Sequence, residues 1–133
     1  MPAHIAIVSA EPEYWETLSA ILSDCGLRTT RCETLEAATK LFSQQHFDVA
    51  VCEDALPDGD FRKLIAEMRR SRMWAPVVVV SRFDDWGSYL DAMIAGAFDY
   101  VAFPPYPREF ERAVAAALAE ARSNRKAAVR AAA

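Results

Sequence analysis

No apolar run in this chain of 133 residues approaches the roughly 20 needed for a membrane-spanning helix. The start, Met1-Pro2-Ala3-His4-Ile5, has no charged leader followed by an apolar signal core, and passes straight into a strand pattern. The expected placement is cytoplasmic, without a membrane partner. Cysteine is scarce: Cys25, Cys32 and Cys52 form no CxxC pair and no metal-ligand spacing, which argues for reduced structural thiols and against zinc. His4 and His46 have no acid or nucleophile at motif spacing, and no Ser-His-Asp set, Walker loop, internal repeat or linker is present. Basic charge is also short. Fifteen Lys and Arg face nineteen Asp and Glu, and the net charge of −4 removes any general attraction to nucleic acid or anionic membrane. The basic tail, Arg122, Arg125, Lys126 and Arg130, lacks aromatic interleaving and a nucleic-acid reading motif.

What is present is a fivefold alternation of short apolar runs with helix-length segments. Strands are predicted at His4–Ser9, Leu27–Cys32, Asp48–Glu53, Pro76–Ser81 and Phe98–Phe103. Val77-Val78-Val79-Val80 shows no polar alternation, as expected for a strand buried on both faces of a parallel sheet. Helices are predicted near Glu13–Asp24, Leu35–Gln45, Phe61–Arg72 and Asp85–Ala95, with a fifth from Pro107 to about Arg125. Thr34 is a candidate N-cap, and Pro107 suits a first helical turn followed by Glu109 and Glu111. Right-handed crossovers then require a single doubly wound α/β domain, with a five-stranded parallel sheet and helices on both faces.

In such a sheet, chemistry gathers outside the carboxyl ends of the strands. The third run, Val49-Ala50-Val51-Cys52-Glu53-Asp54, ends there in two carboxylates and turns at Leu56-Pro57-Asp58-Gly59. Other segments agree in order and spacing: Ile5-Ala6-Ile7-Val8-Ser9-Ala10-Glu11-Pro12, Val77-Val78-Val79-Val80-Ser81, and Gly96-Ala97-Phe98-Asp99-Tyr100-Val101-Ala102-Phe103-Pro104. Together they resemble the response-regulator receiver domains of two-component signalling, from Ile5 to about Arg122. The fourth-helix segment Asp91–Ala97 is most similar to receivers of nitrogen-regulator type. The resemblance implies a flavodoxin-like, CheY-like fold with strand order 2-1-3-4-5, a receiver-like domain over residues 1–123, and a fraying helical or disordered tail over 124–133.

The same resemblance marks where the chain departs from the family. The phospho-accepting aspartate, four residues before the proline, is Glu53. The paired acids after the first strand are Ser9 and Ala10, and Glu11 matches only the family's ordinary glutamate. Phe103 stands in place of the lysine. The longer Glu53 side chain displaces the carboxylate by about 1.5 Å, one bond length, and misplacement of about 1 Å can cost on the order of 100-fold in rate. Magnesium needs charged oxygen ligands in near-octahedral array, so Mg2+ binding is expected to be weak or absent. No catalytic residue, metal ligand or other cofactor is predicted, and the chain is not expected to be an enzyme. Asp54, three residues before Pro57, is expected to project away from Glu53 and to serve the turn.

The switch positions of the family persist as Ser81 and Tyr100. Two readings of Glu53 compete: a carboxylate that mimics the phosphoryl group, or a solvated acid in a decayed pocket. Trp86, Tyr89 and Met93 recur at helical spacing behind Phe83, while Leu90, Ile94 and Ala97 form a rival stripe. One helix rarely buries both, so with Tyr106 these residues form a candidate partner surface on the fourth-helix, fifth-strand and fifth-helix side. The expected function is a pseudo-receiver acting by protein–protein contact, with a histidine kinase, an output protein or a second copy as partner. Two alternatives stand beside it: a conventional phosphorelay receiver, and a flavodoxin-like small-molecule-binding domain. Against the latter, Ser9-Ala10-Glu11-Pro12-Glu13 puts acids and a proline where a flavin phosphate would need backbone donors.

Overall fold

The valine run of the fourth long strand shows how the layers form. Val78 and Val80 face one core, while Val77 and Val79 face the other. Alternate side chains of a strand point to opposite faces of its sheet, so a strand apolar at every position needs cover on both. In the computed structural model, which describes residues 2–132, that cover comes from five helices. The elements run β1 (His4–Val8), α1 (Pro12–Asp24), β2 (Arg28–Cys32), α2 (Leu35–Gln44), β3 (Val49–Glu53), β4 (Ala55–Leu56), β5 (Gly59–Asp60), α3 (Phe61–Arg70), β6 (Val77–Ser81), α4 (Trp86–Ala95), β7 (Asp99–Ala102) and α5 (Pro107–Ala132). The main sheet is parallel, with order β2-β1-β3-β6-β7. Counted over its own five strands, this is the order 2-1-3-4-5 that the resemblance implies.

One core lies between the sheet and α1 and α5, with Tyr14, Leu18, Leu22, Phe110 and Val114 against Ile5, Ile7, Val49 and Val51. The other holds Leu35, Ala38, Phe61, Leu64, Ile65 and Met68 from α2 and α3. The Leu-Pro-Asp-Gly turn is itself a small hairpin of β4 and β5, an element the sequence reading did not anticipate. Its Asp58 carboxylate accepts the backbone N–H groups of Leu35 (2.9 Å) and Glu36 (3.0 Å). Thr34 accepts that of Ala37 at 3.0 Å. The free donors at the start of α2 are thus satisfied from two sides.

Helix α4 is held differently. Only Ala92 is buried, whereas Trp86, Leu90 and Ile94 are exposed. A fully buried Leu or Val side chain contributes about 1.5–3 kcal/mol, so α4 receives far less from burial than α3 with its four buried apolar residues. Its ends compensate locally: Asp85 caps the first turn by accepting from Ser88 N at 2.9 Å. Gly96 closes the last turn with φ 104°. A side chain at Gly96 would also collide with Arg69, whose Nη2 would lie 2.1 Å from the added Cβ. The buried face of α5 ends at Ala121, while the helix continues with every residue from 122 to 132 exposed. The predicted boundary at 123 falls just beyond that burial limit. Arg125 on the exposed part donates to the Asp48 carboxylate. Among the described residues no helix is long and apolar enough to cross a membrane.

Candidate functional site

Glu53 is the last residue of β3, beside β1 on one side and β6 on the other, and is only 9% exposed. Its strand neighbours force the carboxylate to the carboxyl edge of the sheet, where Ser9 follows β1. The Ser9 hydroxyl donates to Glu53 Oε1 at 2.8 Å, and Ser9 Oγ accepts the Glu11 backbone N–H at 3.2 Å. Burial pushes the Glu53 carboxyl above its ordinary value; the Ser9 bond opposes this, and the nearby Glu11 charge adds to it. Among the described residues Glu53 forms no ion pair. It is a desolvated acid, held by the Ser9 hydroxyl and drawn down also by the Ala10 backbone N–H.

Near that acid lies an aromatic pair. Phe103, just beyond β7, is 6% exposed and donates its backbone N–H to Ser81 O at 2.7 Å. Its peptide bond to Pro104 is cis. The Tyr14 ring stacks on Phe103, with centroids 4.0 Å apart and an interplanar angle of 7°. Burial, and then the Glu53 charge, push the Tyr14 hydroxyl well above its ordinary range, so it stays protonated. Arg82 covers this pair from outside. Its guanidinium lies 5.1 Å from the Tyr14 ring centre and 5.0 Å from that of Phe103. The charge is directed outward, to Glu11 at 3.2 Å and Glu13 at 2.9 Å.

Sequence reasoning missed both Tyr14 and Arg82. For Arg82 there was a signal: it is the single basic residue between Arg72 and Arg108, and it directly follows Ser81. For Tyr14 there was none, because an aromatic in the first turn of α1 looks like any other core residue. Asp54 also needs revision. It lies half-buried just past β3, and burial raises its carboxyl against the downward pull of its own backbone N–H and the Ser81 hydroxyl. Its carboxylate therefore belongs to the site, beside Ser81, rather than to the turn alone.

Ser81 and Tyr100 converge on the backbone of Phe83. Ser81 Oγ accepts the Phe83 N–H at 3.1 Å, while the Tyr100 hydroxyl donates to the Phe83 carbonyl. The β6–α4 loop is thus pinned from both sides. Phe83, Trp86 and Tyr106 are exposed, Tyr89 and Met93 are half-buried, and Ala10 is half-buried beside Ser9.

The residues present do not fit a magnesium ion. Ser9 and Ala10 supply no charge, Glu11 is bound to Arg82, and among the described residues no three acidic, histidine or cysteine side chains converge to hold a metal.

A flavodoxin-like sheet with acids at the end of its central strand and a hydroxyl at the end of the next defines the class. The chain belongs to the response regulator receiver domain family, whose model matches residues 5–115. It is 28% identical over 112 residues to Response regulator protein PilR of Pseudomonas aeruginosa, covering 84% of this chain and 25% of PilR. To Regulatory protein AtoC of Escherichia coli it is 30% identical over 100 residues, covering 75% of this chain and 22% of AtoC. The chain thus spans about a quarter of the length of these relatives. Among solved structures, NtrX from Brucella abortus superposes with a TM-score of 0.85 at 22% identity, covering 96% of this chain and 29% of NtrX. The beryllofluoride-activated NtrC4 receiver domain dimer gives 0.81 at 24%, covering 89% of this chain and 98% of that one. These structures share the fold.

Proposed function

We propose that this receiver domain signals by protein–protein contact without aspartyl phosphorylation, its pocket filled by its own side chains. The observation that carries this is the 2.8 Å Ser9–Glu53 hydrogen bond, made where the family has paired acids, beside an aromatic stack where it has a lysine. Phosphoryl transfer relies on positioning and electrostatic stabilisation, and this pocket offers neither a cation aimed inward nor a set of metal ligands. Ser81 and Tyr100 pin the β6–α4 loop through hydrogen bonds to the Phe83 backbone, and in this reading those bonds set the output face. Its partners are a histidine kinase, an output protein or a second copy of the chain.

The test is incubation with acetyl phosphate and Mg2+ followed by intact-mass measurement. No phosphoryl adduct is expected on the unmodified protein. Glu53→Asp with Phe103→Lys should also stay unlabelled until Ser9→Asp and Ala10→Asp are added. Robust magnesium-dependent labelling of the unmodified chain would sink the proposal. The conventional alternative has one observation in its favour, the Asp54 carboxylate beside Ser81, and peptide mapping of any adduct to Asp54 would establish it.

A further inference from the structure

A cluster of aromatics lies beside the pocket, in a groove of about 510 Å³ between the β6–α4 loop and the β7–α5 loop. Trp86 and Tyr89 stack with centroids 5.4 Å apart at 18°, and Tyr89 meets Tyr100 edge-on at 6.3 Å. These rings form one continuous wall, and Tyr106, 80% exposed, stands on the other side. The groove is also acidic. Asp84, Asp85 and Glu109 line it, against a single Arg82 whose charge is already taken by Glu11 and Glu13. Asp85 is engaged in capping α4, but Asp84 and Glu109 form no ion pair among the described residues.

Aromatic faces carry negative potential above the ring, and carboxylates at their rim add to it. A group that satisfies both must be cationic, and a planar one can also stack on the rings. Guanidinium meets that description: it can stack on Trp86 while its N–H fork reaches a carboxylate, which the compact, strongly hydrated lysine ammonium cannot do. Beyond the groove, Trp86, Leu90 and Ile94 lie four residues apart along α4, on one face, all exposed. The occupant therefore carries apolar side chains next to its cation, as a peptide segment does and a small metabolite does not.

We infer that this groove binds an arginine-bearing peptide segment of a partner protein, with the guanidinium seated between Trp86 and the Asp84/Glu109 carboxylates. This inference rests on the proposal that the domain acts by protein contact, and it names the chemistry of the contact.

The three tryptophans supply the test, because Trp15 and Trp74 lie outside the groove and serve as internal references. The protein is titrated with the peptide acetyl-Arg-Ala-Leu-Arg-amide while the indole N–H signals are followed by NMR. The Trp86 signal should shift saturably and those of Trp15 and Trp74 should not. Replacing arginine by citrulline, which keeps the shape and loses the charge, should weaken binding at least about tenfold, the equivalent of about 1.4 kcal/mol. Trp86→Ala, read from backbone signals, and Asp84→Asn with Glu109→Gln should do the same, and all three residues are exposed enough to leave the fold intact. Absence of a Trp86 shift at millimolar peptide both with and without acetyl phosphate treatment, equal binding of the citrulline peptide, or retained affinity in the carboxamide variant overturns the inference. Concentration-dependent Trp86 shifts without peptide, abolished by Trp86→Glu, would give the face to a second copy and overturn it too. Repeating the titration after acetyl phosphate treatment separates the two proposals. Binding only after treatment sustains the groove but defeats phosphate-independent signalling, whereas no binding in either condition defeats the groove alone.

Discussion

The pocket at the carboxyl end of the sheet and the α4 face adjoin at Arg82 and Phe103, and they are built in opposite ways. In the pocket, Phe103, Tyr14, Ser9 and Glu53 are all buried and paired with one another. On the face, Trp86, Phe83 and Tyr106 stay exposed, and α4 buries a single alanine. Burial of the first set means that changes there must register as stability. Exposure of the second means that changes there must register, if anywhere, as binding. The shared element is the β6–α4 loop, whose Ser81 end belongs to the pocket and whose Trp86 end belongs to the face.

The largest expected effect breaks the pocket. Phe103→Ala deletes one half of the buried stack and should cost about 3–5 kcal/mol, the range for truncating a buried aromatic. Urea unfolding measures it, and a loss under about 1 kcal/mol would show that the stack does not hold the loop.

Glu53→Gln tests the buried acid. The folded state raises the Glu53 carboxyl above its ordinary 4.5, so the folded protein binds that proton more tightly than the unfolded chain. The contribution to stability is full below 4.5 and is lost as pH rises through the folded value. The glutamine retains an acceptor for the Ser9 hydroxyl and never ionises. It should therefore be more stable than the natural protein at pH 7, with the advantage shrinking as pH falls toward 4.5. A pH-independent difference in urea midpoint would contradict this account.

Arg82→Ala removes two exposed ion pairs and the cation over both rings. The expected loss is smaller than for Phe103→Ala, and its ionic part should fade in high salt. An effect unchanged by salt would assign Arg82 to ring packing alone.

Trp86→Ala should change stability least, within about 0.5 kcal/mol, because the side chain is 71% exposed. Charge placed there as Trp86→Glu should disrupt any self-association measured by light scattering. If Trp86→Ala unfolds as readily as Phe103→Ala, the contrast between pocket and face collapses.

Much of the fold was legible because period and punctuation agree along the chain. The valine run and the Thr34 cap each act within a few residues, and each stands where it was expected. The uncharged residues at Ser9 and Ala10 and the aromatic at Phe103 were legible too, since each is a residue identity. The β4–β5 hairpin escaped notice because two-residue strands leave no periodic trace. The rival stripes on α4 could not be resolved by spacing either. That choice depends on how closely the helix approaches the sheet, and only Ala92 makes the approach.

By itself the sequence determined the order of elements, the burial of β6 on both faces, and the uncharged identities of Ser9, Ala10 and Phe103. These follow from local periodicity and residue identity, which need no knowledge of distant neighbours. Only the tertiary structure decided which side chains meet around Glu53. Tyr14 is 89 residues from Phe103, Ser9 is 44 from Glu53, and Arg82 is 71 from Glu11. Such pairs are made when parallel strands bring their carboxyl ends to one edge. The short-range forces of stacking and hydrogen bonding then select among whatever side chains the crossovers have delivered there.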